Sequence, residues 1–104
     1  MSRTEAIERL ERIVAAMKEL PDEFSVLSVD LDISRLDSQP GLFVARNKFD
    51  GKDGTALAEY AQTVGYECRE DSPNENAGCY YTDVYFPNGV IVHTLNRGAV
   101  IAND

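Results

Sequence analysis

Apolar and polar positions follow a helical period at the start of the chain. Over 2–20 the apolar residues recur at helical spacing and give a helix one apolar face, formed by Ile7, Leu10, Val14 and Met17 and widened by Ile13 and Leu20. Ser2 and Glu5 have the spacing of an N-terminal capping box, and Pro21 ends the pattern. The pattern therefore predicts a helix over 2–20 that buries this face.

The next stretch, 24–34, has the period of two that is typical of a half-buried strand. Its two rows of side chains are Leu27, Val29, Leu31 and Ile33 on one side and Val26, Ser28, Asp30 and Asp32 on the other. We expect the first row to face a core and the second to face water. A turn at 37–41 leads to a short strand at 42–46, antiparallel to the first because the connection is short.

The second half of the chain predicts one helix and a series of strands. A helix over 55–64 has one apolar face and either Thr55 or Asp53 as its cap. Strands follow at 66–70, 79–86 and 90–95, with a polar loop at 71–78. Asn88 and Gly89 form a tight hairpin turn, because this pair adopts the required positive φ readily. A turn at 96–98 would add a short edge strand at 99–101.

Together these elements predict a single α+β domain over 1–104, in the order α-β-β-α-β-β with a final strand if the chain turns again. Two helices with one apolar face each pack economically on one face of a mainly antiparallel sheet of about four to six strands. The other sheet face then stays in water. It would carry Asp30 and Asp32, together with either the Tyr80/Thr82 row or the Tyr81/Asp83 row.

Charge narrows the range of functions. The chain has 10 Lys and Arg against 18 Asp and Glu, which gives a net charge of −8 at pH 7. This balance argues against direct binding to nucleic acid or to an anionic membrane, since both require a basic surface. No apolar run reaches the ~18 residues of a membrane span, and 1–20 lacks the apolar segment of a signal peptide. We therefore expect a soluble cytoplasmic protein whose two cysteines are reduced.

The chain contains no complete catalytic or metal-binding motif. Asp30 and Asp32 would lie ~7 Å apart on one strand face, a spacing that suits a divalent cation only when a third ligand converges. Asp37, in the following turn, has no reason to converge. A cysteine nucleophile would need the single histidine, His93, as its base, and no local motif joins them. We predict no enzymatic activity, no cofactor and no metal site.

The acidic residues are clustered. One group is opposed only by Arg35 and consists of Asp22, Glu23, Asp30, Asp32 and Asp37. A second is opposed only by Arg69 and consists of Glu67, Glu70, Asp71, Glu75 and Asp83. Carboxylates ~7 Å apart along a strand approximate the phosphate spacing of a nucleic-acid strand. Such a surface can occupy the basic groove of a protein that handles DNA or RNA.

Tyrosines on the solvent-facing side of the predicted sheet would add contact area to the acidic surface. Tyrosine supplies such area at low entropic cost and is enriched at protein interfaces. We therefore predict a partner-binding face with a centre and a rim. Its residues are Asp30, Asp32, Tyr81 and Asp83 at the centre and Asp71 and Glu75 at the rim.

Four segments carry a resemblance to known proteins: Ser28–Asp37, Pro40–Val44, the helix Leu57–Val64 and the hairpin strand Gly89–His93. In size, acidity and layout the chain resembles small acidic proteins of phage and prophage origin, including the anti-CRISPR class of anti-defence inhibitors. The resemblance implies a non-enzymatic protein that blocks a host nucleoprotein machine by binding it. It transfers no functional residue.

These observations predict a stoichiometric inhibitor of a basic, nucleic-acid-binding protein that acts by charge mimicry. An immunity protein or antitoxin that neutralises a nuclease toxin would use the same surface physics. A third alternative is a metal- or small-molecule-binding domain that uses Asp30 and Asp32. The chain would be a monomer, or a homodimer through 99–101 or the tyrosine row.

Overall fold

The first helix begins and ends where the sequence predicts. In the computed structural model, which describes residues 1–48, 50–70 and 79–97, helix α1 spans Arg3–Glu19. The Oγ of Ser2 accepts the backbone N–H of Glu5 at 3.1 Å, which satisfies one of the unpaired donors of the first turn. No helix in these residues is long and apolar enough to span a bilayer.

The buried face of α1 differs from the prediction. The helix buries Ile13 and Ala16, and Leu20 at its end is also buried. Three residues of the predicted face are instead exposed: Ile7, Leu10 and Val14. The prediction was wrong because α1 has two adjoining apolar stripes, and periodicity alone does not show which of them packs on the sheet.

One arginine helps to fix the rotation of α1. Arg9 lies on the buried side of the helix, where its Nη1 donates to the carbonyl oxygens of Leu31 at 2.8 Å and Ser38 at 2.6 Å. Bonds from one guanidinium to two carbonyls restrict the turning of the helix about its axis. The stripe next to Arg9 therefore faces the sheet.

The sheet has five strands in the order β1-β2-β5-β4-β3. The bounds are β1 Phe24–Ile33, β2 Gln39–Arg46, β3 Glu67–Glu70, β4 Cys79–Tyr85 and β5 Ile91–Arg97, with helix α2 at Asp53–Val64 between β2 and β3. The α+β class is confirmed, but the element order is α-β-β-α-β-β-β. The sheet is mixed rather than antiparallel, because β5 enters it beside β2 and runs parallel to it. The predicted strand at 99–101 and loop at 71–78 lie outside the described residues.

Helix α2 begins differently from the prediction. Its N-cap is Lys52, and neither Thr55 nor Asp53 caps it. Asp53 instead accepts from Arg46 Nε at 3.1 Å, and Asp50 accepts from the same guanidinium at 2.6 Å. This ion-paired loop joins β2 to α2.

Both helices lie on one face of the sheet, α1 over β1 and β2 and α2 over β3, β4 and β5. The core between them is aliphatic and includes Ile13, Leu42, Val44, Leu57, Ala61, Val84 and Val92. We call this the inner face of the sheet and the opposite one the outer face. Since cross-strand partners point to the same side, register assigns every paired residue to one of the two faces.

Strand β1 does not keep the predicted alternation. Its pairing with β2 shifts at Leu27 and again between Asp30 and Ile33, and each shift is a bulge or irregularity. Leu27 is therefore left unpaired and exposed. Ile33 turns onto the outer face, where its Cδ1 lies 1.9 Å from the position that a Cβ on Gly41 would take. A glycine at 41 is thus required for Ile33 to pack there.

The outer face carries the Tyr81/Asp83 row, and the Tyr80/Thr82 row points towards the helices. Asp83 pairs with His93, which pairs with Phe43, and Phe43 alternates with the core residues of β2. The outer face was expected to lie in water, and at its centre this is wrong, since Asp83 is only 2% exposed.

Candidate functional site

The predicted residues Asp30 and Asp32 lie on β1, at one edge of the sheet, and both are exposed. Asp30 pairs with Gly41 and so belongs to the outer face. Its Oδ1 accepts the backbone N–H of Asp32 at 3.1 Å, which holds the carboxylate in place. Among residues 1–48, 50–70 and 79–97, no three His, Cys, Asp or Glu side chains converge as metal ligands. The structure therefore gives the Asp30/Asp32 pair no third ligand in that part of the chain.

The other predicted residues divide into two groups. Tyr81 and Asp83 also lie on the outer face, but on β4, three strand spacings or roughly 14 Å from β1. The structure thus does not bring them next to Asp30. Asp83 is buried, so its charge does not contribute to the solvent-exposed acidic surface. Asp71 and Glu75 lie outside the described residues.

An aromatic cluster occupies the centre of the outer face. The rings of Phe43 and His93 stack with centroids 5.2 Å apart, and Tyr81 meets His93 at 5.6 Å and Phe43 at 6.5 Å. Sequence reasoning found Tyr81 but missed Phe43. The signal for Phe43 was its place between Leu42 and Val44, which puts it on the face opposite to two core residues. Phe43 and Tyr81 are half-buried and His93 is buried, so the cluster presents part of its aromatic surface at the outer face.

A pocket of about 450 Å³ lies beside this cluster, and the 3₁₀ turn Ser34–Leu36 that follows β1 forms part of its wall. Its lining is Leu36, Asp37, Gln39, Arg69, Asp83, Tyr85 and Ile91. The guanidinium of Arg69 lies 5.0 Å from the centroid of the Tyr85 ring. The pocket is near the lower end of ligand-site volumes and combines both signs of charge with an apolar wall. The sequence did not predict it, because its walls come from segments far apart in the chain.

The two cysteines are free thiols on opposite faces of the sheet. Cys68 pairs with Val84 on the inner face, whereas Cys79 pairs with Arg97 on the outer face. Burial raises the pKa of the Cys68 thiol, and the charges of Glu70 and Asp83 raise this pKa further. The thiolate of Cys68 is accordingly disfavoured, which is the opposite of what an activated nucleophile requires.

Exposed apolar residues lie on β1 and on helix α1, and we call this set the β1 shelf. It consists of Ile7, Leu10, Val14, Val26 and Val29, which are 41–56% exposed. Val26 and Val29 pair with the core residues Val44 and Leu42, so they point to the inner face, where α1 covers them only in part. The sequence analysis assigned most of these residues to the core.

No protein-family model, no curated protein and no solved structure matches the chain.

Proposed function

We propose that this protein is a non-enzymatic acidic binding protein that inhibits a basic, nucleic-acid-handling protein in the cytoplasm by occupying its nucleic-acid groove. One observation carries the proposal: an exposed edge strand lies within an acidic stretch of the chain. Residues 19–34 contain five acids and no Lys or Arg, and four of these acids flank or belong to β1: Asp22, Glu23, Asp30 and Asp32.

The exposure of these acids supports a contact at β1. All four are exposed, whereas Asp83 is buried. A carboxylate steers and binds a cationic groove only when it stands at the surface. Of the four residues predicted at the centre of the contact, we therefore keep Asp30 and Asp32 on β1, and Tyr81 with its aromatic neighbours forms a separate surface on the outer face.

The proposal is tested by affinity capture from a lysate of the source organism with three proteins. These are the wild type, the double reversal Asp30→Lys/Asp32→Lys, and a control double reversal Glu59→Lys/Glu70→Lys. Glu59 on α2 and Glu70 on β3 are exposed and lie away from the β1 edge, so the control changes the net charge equally. Captured proteins are identified by mass spectrometry, with elution by salt and by competitor DNA.

We expect the wild type and the control to capture a nucleic-acid-binding protein that salt and DNA both release, and the Asp30/Asp32 variant to lose it. Equal capture by all three proteins would contradict a contact at β1. The identity of the partner also separates two forms of the proposal. Capture of a nuclease toxin would make the protein an immunity protein or antitoxin that uses the same surface.

A further inference from the structure

The edge of β1 offers a partner both backbone groups and an apolar surface. In the described part of the chain, no strand pairs with the side of β1 that faces away from β2. An exposed strand edge presents N–H and C=O groups that can pair with another chain. Near the end of β1 the N–H of Asp32 already donates to Asp30 and the C=O of Leu31 accepts from Arg9, so the part of β1 before Leu31 offers these groups. On the inner side of the sheet lies the β1 shelf, whose residues are 41–56% exposed.

The shelf lies on the flank of α1 that faces the β1 edge. On the other flank, the side chain of Glu19 accepts the hydroxyl of Tyr60 from α2. At about 100° per residue, Ile7, Leu10 and Val14 lie on the side of the helix remote from Glu19. They therefore lie on the exposed side of α1 away from α2, on the same side of the sheet as Val26 and Val29.

Charge indicates what can cover this edge. A second copy of the chain would bring the acids of 19–34 onto the same acids, and like charges directly opposed across strands are destabilising. An approaching basic segment would be attracted instead. The edge strand thus favours a cationic partner over a second copy of itself.

We propose that β1 accepts an extended segment of the basic partner as a sixth strand of the sheet, with apolar side chains of that segment on the β1 shelf and Lys or Arg side chains beside Asp30. This inference rests on the proposed function, and it adds the manner of binding and the pattern of the partner. Successive side chains of a strand point to opposite faces. The shelf lies on the inner side and Asp30 on the outer face, so the segment alternates apolar and basic residues. Main-chain pairing then supplies affinity, and the apolar and basic side chains of the segment supply specificity.

The test uses a ten-residue peptide of alternating lysine and valine, matched to the 10 residues of β1. A second peptide has the same sequence with its central residues N-methylated. N-methylation removes the backbone donors and keeps the charge and side chains. Affinity is measured by titration calorimetry at low ionic strength, and amide hydrogen exchange over 24–33 is measured with and without peptide. We expect the N-methylated peptide to bind at least ~10-fold more weakly, and the parent peptide to protect amides of β1 from exchange.

Two matched protein variants test the shelf. Leu10→Gln/Val14→Gln removes apolar surface from the shelf, and Leu95→Gln/Val64→Gln removes a leucine and a valine of nearly equal exposure elsewhere. Leu10 and Leu95 are both 42% exposed, so the two variants put similar demands on folding. We expect the first variant to weaken binding of the parent peptide about 5- to 10-fold and the second to leave it within about twofold.

The outcomes separate this inference from the proposed function. Equal binding of the two peptides, with loss of both in Asp30→Lys/Asp32→Lys, overturns strand addition and leaves charge-driven docking intact. No binding of the parent peptide also overturns strand addition, while capture from the lysate tests the function independently. A free protein that sediments as a dimer and loses dimerisation on Leu10→Gln/Val14→Gln assigns the edge to a second copy and overturns the inference.

Discussion

Gly54 permits the close approach of α2 to the sheet. It is buried in the first turn of the helix, and a Cβ there would lie 2.1 Å from Oδ1 of Asn96 on β5. The side-chain amide of Asn96 cannot simply move away, because its Nδ2 donates to Oγ1 of Thr82 at 2.7 Å in a buried hydrogen bond. The glycine is thus explained by tertiary contact, against the helix propensity that favours alanine.

We expect Gly54→Ala to lower the free energy of unfolding by about 1–3 kcal/mol, since overpacking outweighs a propensity gain of up to ~1 kcal/mol. Urea denaturation followed by circular dichroism measures the change. In an Asn96→Ala background the same substitution should cost much less, because the clashing amide is gone. Additive effects of the two substitutions would show that the clash is relieved elsewhere.

At the scale of elements, α1 is joined to α2 by a short cluster of polar aromatic contacts. The hydroxyl of Tyr60 donates to Glu19 Oε2 at 2.5 Å, and the rings of Tyr60 and Tyr66 meet edge to face. Burial raises the pKa of Tyr60 most, followed by its bond to Glu19. For Tyr66 the hydrogen bond to Glu19 is the first cause of a raised pKa. The pKa of Tyr66 therefore depends more on Glu19 than the pKa of Tyr60 does.

The raised pKa values make the link between the helices sensitive to alkali. A folded-state pKa above the ordinary value of 10.0 stabilises the fold while the phenol is neutral. That contribution is complete below this value and is lost as the pH rises through the folded-state pKa. In Glu19→Gln we expect both tyrosines to titrate at lower pH, with the larger part of the Tyr66 shift removed. Tyrosinate absorbance measures the titration of each tyrosine as the difference between a protein and its Tyr60→Phe or Tyr66→Phe variant. Unchanged titrations of Tyr60 and Tyr66 in Glu19→Gln would contradict the role of Glu19.

The elements themselves were largely predictable from sequence, because their signals are local. Ser2 and Glu5 indicated the start of α1, and Asn88 with Gly89 indicated the β4–β5 hairpin, in which Gly89 has φ +91°. The predictions that were wrong concerned features that depend on contacts between residues far apart in the chain. The parallel pairing of β2 with β5 joins strands that are separated by α2, β3 and β4, and no local pattern reports it.

The candidate site was predictable in part, for the same reason. The exposure of Asp30 and Asp32 follows from a strand with acids on one face. The burial of Asp83 does not follow from the sequence pattern, because it depends on what packs over the centre of the outer face. The sequence did not predict the β1 shelf, because apolar periodicity indicates an apolar face and not what packs against it. The same periodic pattern is found in residues that form a core and in residues that form an exposed contact surface.

At the scale of the whole molecule, the net charge of −8 destabilises the folded state. Like charges on a compact chain repel, and salt screens the repulsion with a Debye length of about 10 Å at 0.1 M. Salt also weakens ion pairs such as Arg12–Glu8, but a solvent-exposed pair of this kind contributes only about 0–1 kcal/mol. The repulsion should therefore decide the sign, and added salt should stabilise the protein.

We expect the thermal midpoint of the wild type to rise by a few degrees, roughly 2–5 °C, between low ionic strength and ~0.3 M NaCl. Asp30→Lys/Asp32→Lys and Glu59→Lys/Glu70→Lys both carry net −4, since each replacement adds two positive charges. If repulsion is concentrated around β1, where 19–34 contains no Lys or Arg, the first variant responds less to salt than the second. Equal responses, measured by differential scanning calorimetry, would mean that the repulsion is spread evenly over the surface. A smaller response of the Asp30/Asp32 variant would show that the acids proposed to contact a basic partner also destabilise the free protein through charge repulsion.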